Sequence, residues 1–115
     1  MILDEIEAAL KTLGMPVFYG MQGIGEAEEW NYIVFSRPKV SRSQSKHSKT
    51  KYFTVAVVCE GFVPGDFDDE VEAAMREVAG VRLASDDIEF DYVRKPNTGV
   101  VVELMAMRFY AAGKR

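Results

Sequence analysis

The segment from Val100 to Tyr110 restricts the fold more than any other part of the chain. It reads Val-Val-Val-Glu-Leu-Met-Ala-Met-Arg-Phe-Tyr, a composition that predicts a long strand. Side chains alternate across a strand, so Val101, Met105, Met107 and Phe109 share one face, and Val100, Val102, Leu104 and Ala106 share the other. A strand that is apolar on both faces has to be covered on both. A chain of 115 residues is one domain, because halves of it would be too small to bury separate cores. Two helices can shield only one layer of its sheet. The second face is therefore expected to meet another subunit or to be buried by curling of the sheet.

The remaining elements follow from periodicity. Residues 2–13 predict an amphipathic helix, with Ile2, Ile6, Ala9, Leu10 and Leu13 on one stripe, stopped by Gly14 and Pro16. Val17–Tyr19 predicts a short strand, and residues 21–29, with Gly23 and Gly25, predict a loop. Residues 31–37 predict a strand that Pro38 ends or places at an edge. Residues 38–51 are polar around a single Val40 and predict an exposed hairpin loop; Tyr52–Cys59 predicts a central strand. Asp66 is placed to cap a second helix whose stripe is Phe67, Val71, Ala74, Met75 and Val78, ended by Gly80. Residues 88–94 alternate as a strand, 95–99 turn, and 111–115 form a frayed tail. The expected order is α-β-β-β-α-β-β: an α+β fold with two helices on one face of a largely antiparallel sheet and a long basic hairpin loop.

Charge is divided unevenly along this frame. The chain carries a formal charge of −4, which argues against wholesale binding to nucleic acid or to an anionic membrane. Yet no acidic residue occurs between Glu29 and Glu60, and that window holds six of the 14 basic residues: Arg37, Lys39, Arg42, Lys46, Lys49 and Lys51. The rest of the chain sets eight Lys/Arg against all 18 Asp/Glu, a net of −10. The basic loop has three readings: a solvated hairpin tip, a surface that docks on an acidic protein, or a non-specific contact with nucleic-acid phosphates. No aromatic within the loop could stack on bases.

Catalytic and cofactor signals are weak. His47, the one histidine, falls in the loop, away from any rigid scaffold. Cys59 ends a hydrophobic strand, where a buried and inert thiol is expected. The run Asp66, Asp68, Asp69, Glu70 and Glu72 lacks the central glycine of an oxygen-ligand loop and fits a helix start. Gly20, Gly23 and Gly25 do not make a dinucleotide fingerprint. Catalytic, cofactor and metal sites are accordingly expected to be absent, and the chain is expected not to be an enzyme. Trp30 suits either a loop anchor or an interface, and with the six basic residues it completes the candidate partner-binding set. The single cysteine, the acidic N-terminus and the lack of an 18-residue apolar run predict a cytoplasmic protein with no membrane partner.

One resemblance spans residues 2–110. A helix leads into Leu13-Gly14-Met15-Pro16-Val17-Phe18-Tyr19-Gly20, then Tyr32-Ile33-Val34-Phe35, a polar excursion, and Tyr52-Phe53-Thr54-Val55-Ala56-Val57-Val58. An acidic helix and a terminal hairpin follow. This resembles the tail terminator (tail completion, head–tail joining) proteins of long-tailed bacteriophages and prophages. The resemblance rests on element order and short aromatic-aliphatic stretches, and carries no individual functional residue. It implies a structural virion assembly protein: a ring subunit, typically hexameric, that caps the tail tube, docks to the head connector and resides in the host cytoplasm before incorporation. The implied partners are copies of itself, tail-tube and connector proteins, with a weak contact to DNA as a further partner. A small nucleic-acid-associated module that binds phosphates through the basic loop is the alternative.

Overall fold

The computed structural model describes residues 2–20, 30–42 and 49–113. The elements are α1 (Ile2–Lys11), β1 (Val17–Tyr19), β2 (Tyr32–Ser36), β3 (Val40–Arg42), β4 (Lys49–Glu60), α2 (Phe67–Arg76), β5 (Val81–Leu83), β6 (Glu89–Arg94) and β7 (Val101–Gly113). The seven strands form one sheet in the order β1-β2-β4-β7-β5, with β3 also on β4 and β6 also on β7. Only β1 and β2 run parallel; every other pair is antiparallel. The α+β class read from the sequence is the one found, and β2 and β4 pair antiparallel as expected.

The centre of the sheet is the β4–β7 ladder, which runs from Lys49↔Gly113 to Glu60↔Val102. Pairs Phe53↔Phe109, Val55↔Met107 and Val57↔Met105 turn toward the helices and are fully buried. Ile33 and Phe35 from β2 join them, and α1 presses Ile6 and Leu10 onto this layer beside Val71 and Met75 of α2. The helical stripes read from the sequence are thus the buried ones. Helix α1 stops two residues early: Thr12, Leu13 and Gly14 N–H groups bond three residues back, and Gly14 leaves at φ 83°, where L side chains are strained.

Four expectations need correction. The segment 38–51 is not one long loop, because Val40–Arg42 pairs with Lys49–Lys51 as β3 on β4. Ser36 faces Thr54 and Val40 faces Lys51, so residues 37–39 oppose only Tyr52 and Phe53. That one extra residue is a β-bulge, closed by the Tyr52 N–H donating to the Lys39 carbonyl at 3.1 Å. Pro38 lies in the bulge, just past the end of β2 at Ser36 as the sequence suggested, and the chain re-enters the sheet as β3. Second, Val81–Leu83 adds an unexpected short strand on β7, so the order α-β-β-β-α-β-β lacks β3 and β5. Third, residues 111–113 are strand rather than frayed tail, held against Lys49–Lys51. Fourth, Asp66 precedes α2 but makes no side-chain cap; its carbonyl accepts from the Asp69 N–H instead.

The second face of the sheet is covered in part within the chain. Val102 is fully buried there with Tyr32 and Val58, under Phe18, Trp30, Val34 and Leu104. Phe18 meets Tyr32 edge to face, with ring centroids 5.6 Å apart. The chain measures 52 × 24 × 24 Å, because the long strands outrun the helices. Each helix has ten residues, about 15 Å at 1.5 Å per residue. Strand β4, with 12 residues, reaches roughly 40 Å at about 3.3 Å each. Both ends of the central ladder therefore project past the helical layer.

The ladder's buried aromatic pair should dominate stability. Phe109→Ala removes a fully buried ring opposite Phe53 and is expected to cost about 3–5 kcal/mol. Urea unfolding followed by far-ultraviolet circular dichroism would show the midpoint fall; an unchanged midpoint would contradict this account of the core.

Candidate functional site

One projecting end is the β3–β4 arm, and its ladder places the basic residues. Helix-side positions on β4 are Phe53, Val55 and Val57, so Lys51 and Lys49 continue the same face outward. Their partners on β3 are Val40 and Arg42. Arg42 and Lys49 thus stand directly opposite each other, with Lys51 two residues along. Directly opposed residues in an antiparallel pair lie about 4.5–5.5 Å apart at Cα. Like charges so placed disfavour the ladder by roughly 0.2–1 kcal/mol. Among the described residues, no carboxylate forms an ion pair with Arg42, Lys49 or Lys51.

The other candidates divide. Arg37 is drawn back to the body, its Nε donating to the Tyr19 hydroxyl at 2.7 Å. Lys39 Nζ lies 4.9 Å from the centroid of the Tyr52 ring, on the sheet's other face. These two cations flank the bulge and are partnered by tyrosines, so they do not join the cluster at the tip. Lys46 lies outside the described residues, as do His47, Ser43, Ser45 and Ser48. The candidate cluster in the structure is therefore Arg42, Lys49 and Lys51.

Trp30 sits at the opposite end of β4. Its backbone N–H donates to Glu60 Oε1 at 3.2 Å, and Lys95 Nζ lies 2.6 Å from the same oxygen and 5.9 Å from the indole centroid. Eleven residues of strand separate Glu60 from Lys49, roughly 36 Å at about 3.3 Å per residue. Trp30 and the arm cannot serve one contact. The Lys95 hydrogen bond first, and the Trp30 N–H second, hold the Glu60 carboxyl below its ordinary value. The ion pair locks the turn after β6 onto the end of β4.

Of the residues weighed for chemistry, His47, Gly23 and Gly25 lie outside the described residues. Cys59 is buried, and burial, reinforced by the Glu103 carboxylate opposite it, pushes its thiol up and keeps it protonated. Among the described residues, no group of three or more His, Cys, Asp or Glu is placed to hold a metal ion. No helix among them is long and apolar enough to cross a membrane. No protein-family model and no curated protein matches the chain.

A second surface, at the hairpin end, escaped the sequence reading. Phe62, Phe90, Tyr92, Val93, Val100 and Val101 are all exposed there, Phe62 by 75% and Tyr92 by 59%. The sequence reads Phe90 and Tyr92 as one face of an alternating strand, and neither helix packs substantially on β6. The available signal was length: ten-residue helices cannot roof strands of 12 and 13 residues.

Two outcomes follow from these charges. Arg42→Glu turns a like-charge pair into an opposite one and is expected to raise stability by about 0.2–1 kcal/mol in urea. Moderate salt should stabilise the original protein relative to that variant, since it screens the Arg42–Lys49 repulsion. At the other end, the folded Glu60 carboxyl binds its proton less readily than the unfolded one. Its contribution is complete above the ordinary carboxylate range and fades as pH falls through the folded value. Glu60→Gln should therefore flatten the acid limb of the stability-versus-pH curve, and an unaltered limb would show that the pair contributes nothing.

Proposed function

We propose that the chain is a structural subunit of a phage tail-end ring, joined to its neighbours by docking the basic arm onto an acidic surface. What supports this most directly is the Arg42–Lys49–Lys51 cluster, a repulsive arrangement that an acidic partner would relieve. The chain also offers a matching surface. Helix α2 begins with Asp68, Asp69 and Glu70, of which Asp69 and Glu70 are exposed. The helix follows the Glu60 end of β4 after six connecting residues and leads toward β5, which pairs with β7 at Leu83↔Phe109 and Val81↔Ala111. The acidic first turn thus belongs to the half of the molecule away from the arm. Opposite charges at opposite ends of an elongated subunit favour a head-to-tail contact, and such contacts close into rings when the rotation permits. The implied ring would cap a tail tube and face a head connector without catalysis.

Light scattering and electron microscopy at low and moderate salt, with and without tail-tube protein, test this reading. Lys49→Glu with Lys51→Glu should abolish assembly, and adding Asp69→Lys with Glu70→Lys should restore it. Assembly indifferent to the arm charges would overturn the proposal. Salt-sensitive DNA binding that Arg42→Ala removes, with no assembly under any condition, would favour the phosphate-binding alternative.

A further inference from the structure

The hairpin end carries a different kind of surface. Strand β6 bonds to β7 along one side, and among the described residues no strand pairs with its other side. The Lys95 N–H donates to the Val100 carbonyl at 2.9 Å, which sets the alternation of the ladder. Backbone groups of Glu89, Asp91 and Val93 then point to β7, and those of Phe90, Tyr92 and Arg94 point to the open edge. The Tyr92 N–H confirms this direction, since it donates to Asp91 Oδ1 at 2.8 Å instead of to β7. Unprotected edges of this kind are templates for another strand. This edge is six residues long, lacks proline and lysine within it, and is flanked by exposed aromatic rings.

We propose that the open edge of β6 pairs antiparallel with β6 of a second copy, with Tyr92 facing Tyr92 across a two-fold axis. The register follows from the residues. A two-fold axis normal to the sheet keeps side chains on matching faces, so only every second offset is allowed. With Tyr92 at the centre, Phe90 faces Arg94 twice, an aromatic ring against a guanidinium, and Asp91 faces Val93 twice. No like charges oppose each other. Shifting one step sets Asp91 against Asp91, a repulsive pair. Shifting the other way sets Phe90 against Pro96, which has no N–H to donate, so two ladder bonds are lost. Of these three registers, the central one alone avoids both the facing Asp91 carboxylates and the missing Pro96 donor. Asp91 acts as the gate, because its carboxylate must release the Tyr92 N–H before the strands can zip.

This contact stands apart from the ring reading, for it uses the hairpin edge and leaves the basic arm free. Full-length protein carrying Tyr92→Cys, compared with Phe90→Cys under mild oxidation, tests it. Facing Tyr92 positions fall within disulfide reach, whereas Phe90 positions lie four residues out of step, so Y92C should form covalent dimers at least about ten-fold faster. Cys59 is buried and common to both variants. Asp91→Ala should strengthen the dimer seen by light scattering. Tyr92→Pro, tolerable where the N–H faces outward, should abolish it with circular dichroism unchanged. Equal linking rates for the two cysteine variants, a wild type that stays monomeric at millimolar concentration, or larger assemblies with no Y92C self-linking would overturn the proposal. The cysteine comparison decides the matter even if the proline variant does not fold.

Discussion

The pairing of β4 with β7 is the interaction on which the rest of the structure depends. These two strands meet at every residue from Lys49 to Glu60, and their helix-side pairs supply much of the buried core. Everything else attaches to that ladder: β2 and β3 along one side, β5 and β6 along the other, and both helices on the layer formed by Phe53, Val55, Met105 and Met107. Because both strands are longer than the helices, the helices cover only part of the ladder's length. The two ends must be accommodated some other way, and they differ. One end resorts to charge, the other to exposed aromatic and branched side chains.

Most of the middle was legible from residues alone. The apolar stripes of both helices, the two-faced character of β7 and the β2–β4 hairpin all follow from periods of 3.6 and 2. What escaped the reading were pairings decided by distant partners. Val40-Ser41-Arg42 has no local strand signal, and it becomes one because β4 extends beneath it and a bulge absorbs Pro38. Residues 111–113 look like a tail until Lys49–Lys51 is placed beside them. Val81-Arg82-Leu83 is too short to stand out from the end of α2. Local propensity is weak where a neighbouring strand can override it.

The candidate site was legible in composition but not in geometry. An acid-free window of 30 residues marks where cations gather, yet six basic residues in a row of sequence do not make six in one place. The bulge divides them: Arg37 and Lys39 turn to Tyr19 and Tyr52, and Arg42, Lys49 and Lys51 remain together at the tip. Trp30 was grouped with them because tryptophan suits an interface, and it lies at the other end of β4, against Glu60 and Lys95. A single residue inserted into a strand thus decides which charges act together.

The two ends also impose opposite demands on the isolated chain. Stacking cations across a ladder lowers the stability of the arm, but it keeps that edge from pairing indiscriminately, as charged edge strands do. The β6 edge carries charges of both signs, Glu89, Asp91 and Arg94, in place of a stack of cations, and its central N–H is held by the Asp91 carboxylate. A guard made of a single hydrogen bond is worth about 1 kcal/mol net, little against the ladder bonds a matching strand would offer. The arm is therefore guarded by repulsion among its own cations. The hairpin is protected by occupancy and yields to a strand of the right register. Selectivity at the first end comes from charge, and at the second from the positions of Asp91 and Pro96.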